Sequence, residues 1–364
     1  MARVPIPPKP VRRVILAPLV GAVSAALVVA SPALLVIAVP ADLLTGRGRW
    51  RTVRVVAFGA VYCGYEVCGL SALFWLWLAG RGGARFSTPE FQQRHYRLME
   101  WWLRGLRTTG VKLFRLRVSV ETEAERRAGP ILVFSRHGGA GNSLLLVATI
   151  MLEYRRHPRI IMLDKLQWEP MFDTLLNRVP NRFIRHGTDR DAQIDAIAEL
   201  ATGLGDQDAF VLFPEGHDFS VNLRERAIAH LHKRGHHASA EKAEQMPNVL
   251  PPRLGGVSTA IAAAPGADVI FVAHTVFEDV GSLVDLWRRI PLNTAVAAQY
   301  WRIPAAEVPS GPEELTEWLF DWWARIDRWI STRLSSPPPF DPPPPGVEVP
   351  PAPSPEPPAP APQG

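Results

Sequence analysis

The sequence predicts an α/β domain with a mostly parallel sheet and crossover helices, carried behind an apolar N-terminal helical membrane anchor. Three observations lead there. From about residue 111 to residue 303, apolar runs of strand length alternate with helix-length segments, the pattern of βαβ units. Two of these runs, residues 131–134 and 209–212, are continuously apolar, as inner strands covered on both faces are. Two much longer apolar runs, residues 14–39 and 55–79, precede the rest.

Each long run could cross the roughly 30 Å hydrocarbon layer. The first is too long for a secretory signal and is followed by a second, so it is expected to be retained. Between them lies a basic loop with Arg47, Arg49, Arg51 and Arg54. If both runs spanned, those arginines would sit on the far side from the main domain, against the positive-inside tendency. Pro18, Pro32 and Pro40 are also positioned to break the first run, so a re-entrant or shallow helical pair stands beside the spanning hairpin. Either way the expected localisation is a membrane, with the main domain on the cytoplasmic side.

Ser87-Thr88-Pro89-Glu90 is a helix start, and the helix is expected to run to about Leu106. It mixes arginine with tryptophan, which suits either a headgroup layer or a core face backed by solvent. Residues 111–120 alternate as a strand. Strands follow at 131–134, 159–163, 183–184, 209–212, 269–275 and 294–303, with helices from about Asn142, over 168–176 and 189–203, and a last one over 310–334 carrying Leu315, Trp318, Leu319, Trp322, Ile326, Trp329 and Ile330. Residues 281–290 form a further segment. The tail after residue 334 holds 15 of the 36 prolines and has no apolar period, so it is expected to be disordered or polyproline-like. The division is therefore 1–85, a membrane-associated helical pair; 86–334, the α/β domain; and 335–364, the tail.

Composition bounds the function. With 40 Lys+Arg against 35 Asp+Glu the net charge is a modest +5, and the early clustering of basic residues favours an anionic membrane surface over nucleic acid, for which no motif is present. The two cysteines, Cys63 and Cys68, have no metal-ligand or disulfide spacing. His230, His232, His236 and His237 follow a helix with basic residues and are expected to form a solvated loop, with no metal site.

The chemistry concentrates in two stretches. The first is Ser135-Arg136-His137-Gly138-Gly139-Ala140-Gly141-Asn142-Ser143, at the end of an inner strand. It sets one imidazole in a glycine turn, the usual place for a site in an open α/β sheet, with the glycines permitting close approach and positive φ and Asn142 fit to cap the next helix. The second, Phe213-Pro214-Glu215-Gly216, follows the other inner strand.

Together the two stretches resemble the HxxxxD and FPEG boxes of the glycerolipid (PlsC-type) acyltransferases, with the closest likeness to the lysophosphatidate and lysocardiolipin branch. The resemblance runs from about Phe91 to Leu334. His137 and Asn142 occupy the HxxxxD positions, and FPEG matches letter for letter. Lys165-Leu166-Gln167-Trp168-Glu169-Pro170, Arg182-Phe183-Ile184-Arg185-His186, Leu250-Pro251-Pro252-Arg253-Leu254-Gly255-Gly256 and the run 269–275 resemble further family segments in the family's order.

This resemblance implies transfer of a fatty acyl group from acyl-CoA or acyl carrier protein to a lysophospholipid hydroxyl at a membrane, with no cofactor. His137 would be the general base and Asn142 would stand where the family's acid orients it. Lys165 and Arg185 would meet phosphate, Glu215 would orient the acceptor, Gly216 would let the turn approach, and Arg253 would belong to the substrate site. The sequence departs from the family twice. Asn142 replaces the acid, which leaves open a slower enzyme, a compensating acid such as Asp164, or a catalytically impaired lipid-binding relative. His217-Asp218 replaces Thr-Arg, and an acid there would repel a phosphate monoester, which points to an acceptor with a diester headgroup. A hydrolase using Ser135 or Ser143 is the third possibility.

Overall fold

The computed structural model describes residues 6–44, 49–122, 128–138, 140–185, 187–275, 287–292 and 295–335. The proline-rich tail and most of 281–290 lie outside them. A seven-stranded sheet runs in the order β1-β7-β6-β2-β5-β3-β4, from β1 (Arg117–Thr122), β2 (Ile131–Ser135), β3 (His157–Leu163), β4 (Arg182–Ile184), β5 (Asp208–Leu212), β6 (Asp268–Thr275) and β7 (Ala295–Ile303). β6, β2, β5, β3 and β4 are mutually parallel. β7 pairs antiparallel with β6, and β1 runs parallel to β7. The mostly parallel α/β sheet read from the sequence is the one observed.

Alternation along the inner strands builds two cores. Ile131 and Val133 face one layer with Val211 and Ile270, against α4 (Pro89–Phe114), α5 (Ala140–Leu152) and α6 (Pro170–Leu176). Leu132 and Phe134 face the other with Phe210 and Phe271, against α7 (Arg190–Ala201), α8 (Val221–Lys233), α9 (His237–Glu244), α10 (Leu254–Ala263) and α11 (Pro312–Ser335). Burying each such side chain is worth about 1.5–3 kcal/mol. In α11 the apolar positions Leu315, Leu319, Phe320, Trp323, Ile326 and Ile330 are buried at helical spacing.

Residues 111–120 are not one strand. α4 continues to Phe114, Arg115 closes it in the left-handed region, and β1 starts only at Arg117. Packing overrides the local alternation: Phe114 meets the ring of Phe58 at 4.9 Å, and the Leu113 carbonyl accepts from Arg54. α4 itself is a core helix, burying Phe91, His95, Tyr96, Met99, Trp102, Leu103 and Leu106.

The N-terminal pair comprises α1 (Lys9–Val11), a π-helical turn over Arg12–Leu16, α2 (Ala17–Leu44) and α3 (Arg51–Ala79). The prolines do not break it. Pro32 cannot donate to Val28 O, and the Ser31 hydroxyl donates to that carbonyl instead at 2.7 Å. Asp42 at the end of α2 caps α3, accepting from the backbone of Thr52 and Val53 at 3.1 and 3.0 Å.

α3 lies along the domain instead of leaving it. Arg51 donates to Ile290 O at 2.9 Å, Tyr62 to Glu169 at 3.2 Å, Gly69 packs on Met171, and the Leu73 carbonyl accepts from Arg178 at 2.8 Å. At the other end Arg12 and Arg13 both pair with the buried Asp173 of α6, at 2.8 and 2.7 Å. Arginines at both ends of the pair therefore touch the domain. The outward side carries Val14, Ile15, Leu19, Val29, Val36, Ile37, Leu43, Phe74 and Trp75, all more than half exposed.

Candidate active site

The C-terminal ends of β6, β2, β5, β3 and β4 carry His274, His137, Glu215 with Asp218, Lys165 and Arg185 in that spatial order. His137 leaves the end of β2, and the loop after β5 wraps it. The Phe213 ring stacks on the imidazole with centroids 4.4 Å apart and planes at 24°. Phe219 N–H donates to the His137 carbonyl at 3.0 Å. Between these two contacts the chain reverses at Gly216, whose φ is +73°, and brings Asp218 Oδ1 to 3.2 Å from His137 Nδ1, an ion-pair distance that falls short of hydrogen-bond alignment.

His137 Nδ1 is closed to solvent while the side chain remains 24% exposed. The exposed part is therefore elsewhere on the ring, which a substrate can reach. Burial holds the imidazole below its ordinary range; Asp218 opposes that, while His217 and Lys165 add to it. The ring is then neutral at neutral pH, the state a general base needs.

Glu215 does not face the open side. Its carboxyl is 1% exposed, beside Arg136, Trp323 and the backbone of Leu250 and His137, and burial pushes it up to about 8 despite all of these. Neither carboxyl oxygen reaches hydrogen-bond geometry with a described residue. Arg136, fully buried, donates to Asn248 O at 3.0 Å, and Asn248 N–H donates in turn to Asp327 of α11 at 2.6 Å. His274 donates to the Arg136 carbonyl at 3.0 Å and is lowered to about 4 by burial, so it stays neutral. A polar layer thus anchors the turn from below.

Asn142 is not the helix cap. α5 already begins at Ala140, and the Asn142 side chain, 4% exposed, donates from Nδ2 to Gly138 O at 2.8 Å. Gly138 is needed for space, not for positive φ: a Cβ there would lie 2.4 Å from Asn142 Nδ2 and 2.8 Å from His274 Cε1. The role expected of Gly139 lies outside the described residues.

Of the other residues read from the sequence, Lys165 is close enough to act on His137 electrostatically, and the Arg253 guanidinium packs against Gly216, where a Cβ would meet Nη1 at 2.9 Å. Arg185 lies two strands further from β2 than the loop that holds His137, 89% exposed and 3.9 Å from Asp164. Ser135 is fully buried and donates to Arg136 O, so it does not face a substrate. The bracing roles of Arg136 and His274 had no signal in the sequence beyond an arginine next to the key histidine.

No protein-family model and no curated protein matches this chain. Among solved structures, the chain is similar to the 1-acyl-sn-glycerophosphate (LPA) acyltransferase, PlsC, from Thermotoga maritima, at 15% identity and a TM-score of 0.41, over 75% of this chain and 98% of that one.

Proposed function

We propose that the protein is a membrane-bound O-acyltransferase that moves a fatty acyl group from acyl-CoA or acyl carrier protein to the hydroxyl of a lysophospholipid. The observation that carries this reading is the assembly of His137 by the loop 213–219, with Nδ1 closed off and the rest of the ring partly exposed. Such an imidazole can take a proton from an attacking alcohol, and no side-chain nucleophile is required because the acceptor brings the hydroxyl. In the reaction the acceptor oxygen bonds to the thioester carbon as Nε2 takes its proton. The carbon–sulfur bond then breaks, and the same proton leaves with the thiol.

The cations at this edge, Lys165, Arg253 and Arg185, would meet phosphate on the acceptor or donor. Asp218 beside the base repels a dianionic monoester, which favours a lysophospholipid with a diester headgroup as acceptor. The N-terminal pair would lie in one leaflet, its exposed apolar side in the acyl region and its arginines on the side of the domain, which agrees with a cytoplasmic location.

The test is to incubate the detergent-purified protein with an acyl-CoA and a panel of lysophospholipids, measuring thiol release and acylated lipid together. Equal amounts of the two, lost in His137→Ala, support the reading. Free fatty acid in place of acylated lipid makes the protein a hydrolase, and lipid binding without thiol release makes it an inactive relative.

A further inference from the structure

Resting on the acyl-transfer reading, we propose that Asp218 has taken over the task of the missing motif acid, facing Nδ1 of the base from the loop after β5. The two departures from the acyltransferase pattern, Asn142 and Asp218, are then one change: the carboxylate has moved from the helix after β2 to the neighbouring strand's loop.

A base that accepts a proton at Nε2 carries its own N–H at Nδ1 and develops positive charge as the acceptor hydroxyl is deprotonated. A carboxylate close to Nδ1 stabilises that charge. Asn142 is neutral in every orientation, and its amide nitrogen is directed to the Gly138 carbonyl at 2.8 Å. The Asp218 carboxylate stands 3.2 Å from Nδ1. Its placement is built into the loop: Gly216 at φ +73° reverses the chain, and Phe219 N–H on the His137 carbonyl at 3.0 Å pins the residue next to Asp218 beside the ring.

Of the other groups acting on the imidazole, Lys165 from the turn after β3 and His217 from the same loop disfavour its charged form, and His274 at the end of β6 stays neutral. Glu215 lies behind the backbone of His137, among Arg136 and Trp323. Asp218 is the group placed to favour the imidazolium. It is a positioning residue, since it acts through His137 and not on the substrate.

The experiment compares wild type with Asp218→Asn, Asp218→Glu and the double variant Asn142→Asp/Asp218→Asn. Two quantities are read against pH: kcat, and the rate at which diethyl pyrocarbonate modifies His137, followed on its peptide by mass spectrometry. The side chain of Asp218 is 63% exposed, so the amide should leave thermal unfolding unchanged.

Asp218→Asn is expected to lower the kcat plateau by about 10²-fold, at the lower end of what positioned acid–base groups contribute. It should also shift the acid limb and the modification midpoint of His137 to lower pH, because a group that favours the imidazolium is gone. The double variant should regain at least about tenfold and move the midpoint back up, and Asp218→Glu should lie between. A wild-type plateau with an unshifted midpoint in Asp218→Asn overturns the proposal, and so does a rate loss with an unshifted midpoint. If wild type transfers no acyl group to any acceptor, the acyl-transfer reading fails, while the modification midpoint still decides the contact.

Discussion

The turns that follow β2 and β5 sit side by side at the centre of the sheet, yet they divide the work unequally. The β2 turn supplies the imidazole and little that controls it: Asn142 is occupied with Gly138, and Gly138 is there to make room. The β5 loop supplies the stacking ring, the reversal at Gly216, the carboxylate at Nδ1 and the hydrogen bond to the His137 carbonyl. The difference teaches that the imidazole and the groups that surround it come from separate turns, so that either can be changed without the other.

Changes to each turn should differ in kind. His137→Ala, in the β2 turn, is expected to reduce kcat by at least about 10³-fold while leaving the thermal midpoint within a few degrees, since acid–base groups of this kind contribute 10²–10⁴. Activity within tenfold of wild type would break the division of labour.

Glu215→Gln, in the β5 loop, should act on stability and its pH dependence. The carboxyl is held near 8 in the fold, well above its unfolded value, so the folded protein binds the extra proton between about pH 4.5 and 8. The stability linked to that proton is present at the acid end of this window and is lost as pH rises through it, by on the order of a few kcal/mol. The glutamine variant should flatten the dependence, measured as denaturant midpoints between pH 5 and 8.

Gly138→Ala tests where the two halves meet a third. The new methyl would press on Asn142 and His274, with a cost of about 1–3 kcal/mol in stability as for other overpacked sites. Glu199→Ala removes a partner of Arg182 in an exposed pair on the far edge of the sheet and should change stability by less than about 1 kcal/mol, with kcat unaffected.

The sheet was legible because Ile131 to Phe134 and Ala209 to Leu212 are apolar at every position, and only a strand covered on both faces buries them all. The two halves of the site were legible as motifs for a related reason: each lies immediately after one of those strands. What was not legible depends on the path of the chain in three dimensions. Asp218 read as a residue facing the acceptor, and its approach to His137 follows from the reversal at Gly216 and the anchor at Phe219. Glu215 read as pointing outward, while Arg136, Trp323 and Leu250, from three separate parts of the chain, close around it. The strand expected over residues 111–120 holds only from Arg117, because the packing of Phe58 and Arg54 on the end of α4 outweighs four residues of alternation. The prolines of α2 misled because Ser31 can replace the donor that Pro32 lacks.

The central claim is that His137 is the group that takes the proton, and it is tested most directly by relating its chemical occupancy to turnover. Wild-type protein would be modified stepwise with diethyl pyrocarbonate, the fraction modified at His137 measured by peptide mass spectrometry, and residual acyl transfer assayed at each step. The account predicts that activity falls in proportion to the unmodified fraction of His137 and that acyl-CoA with acceptor slows both together. Full modification of His137 with transfer undiminished would contradict it.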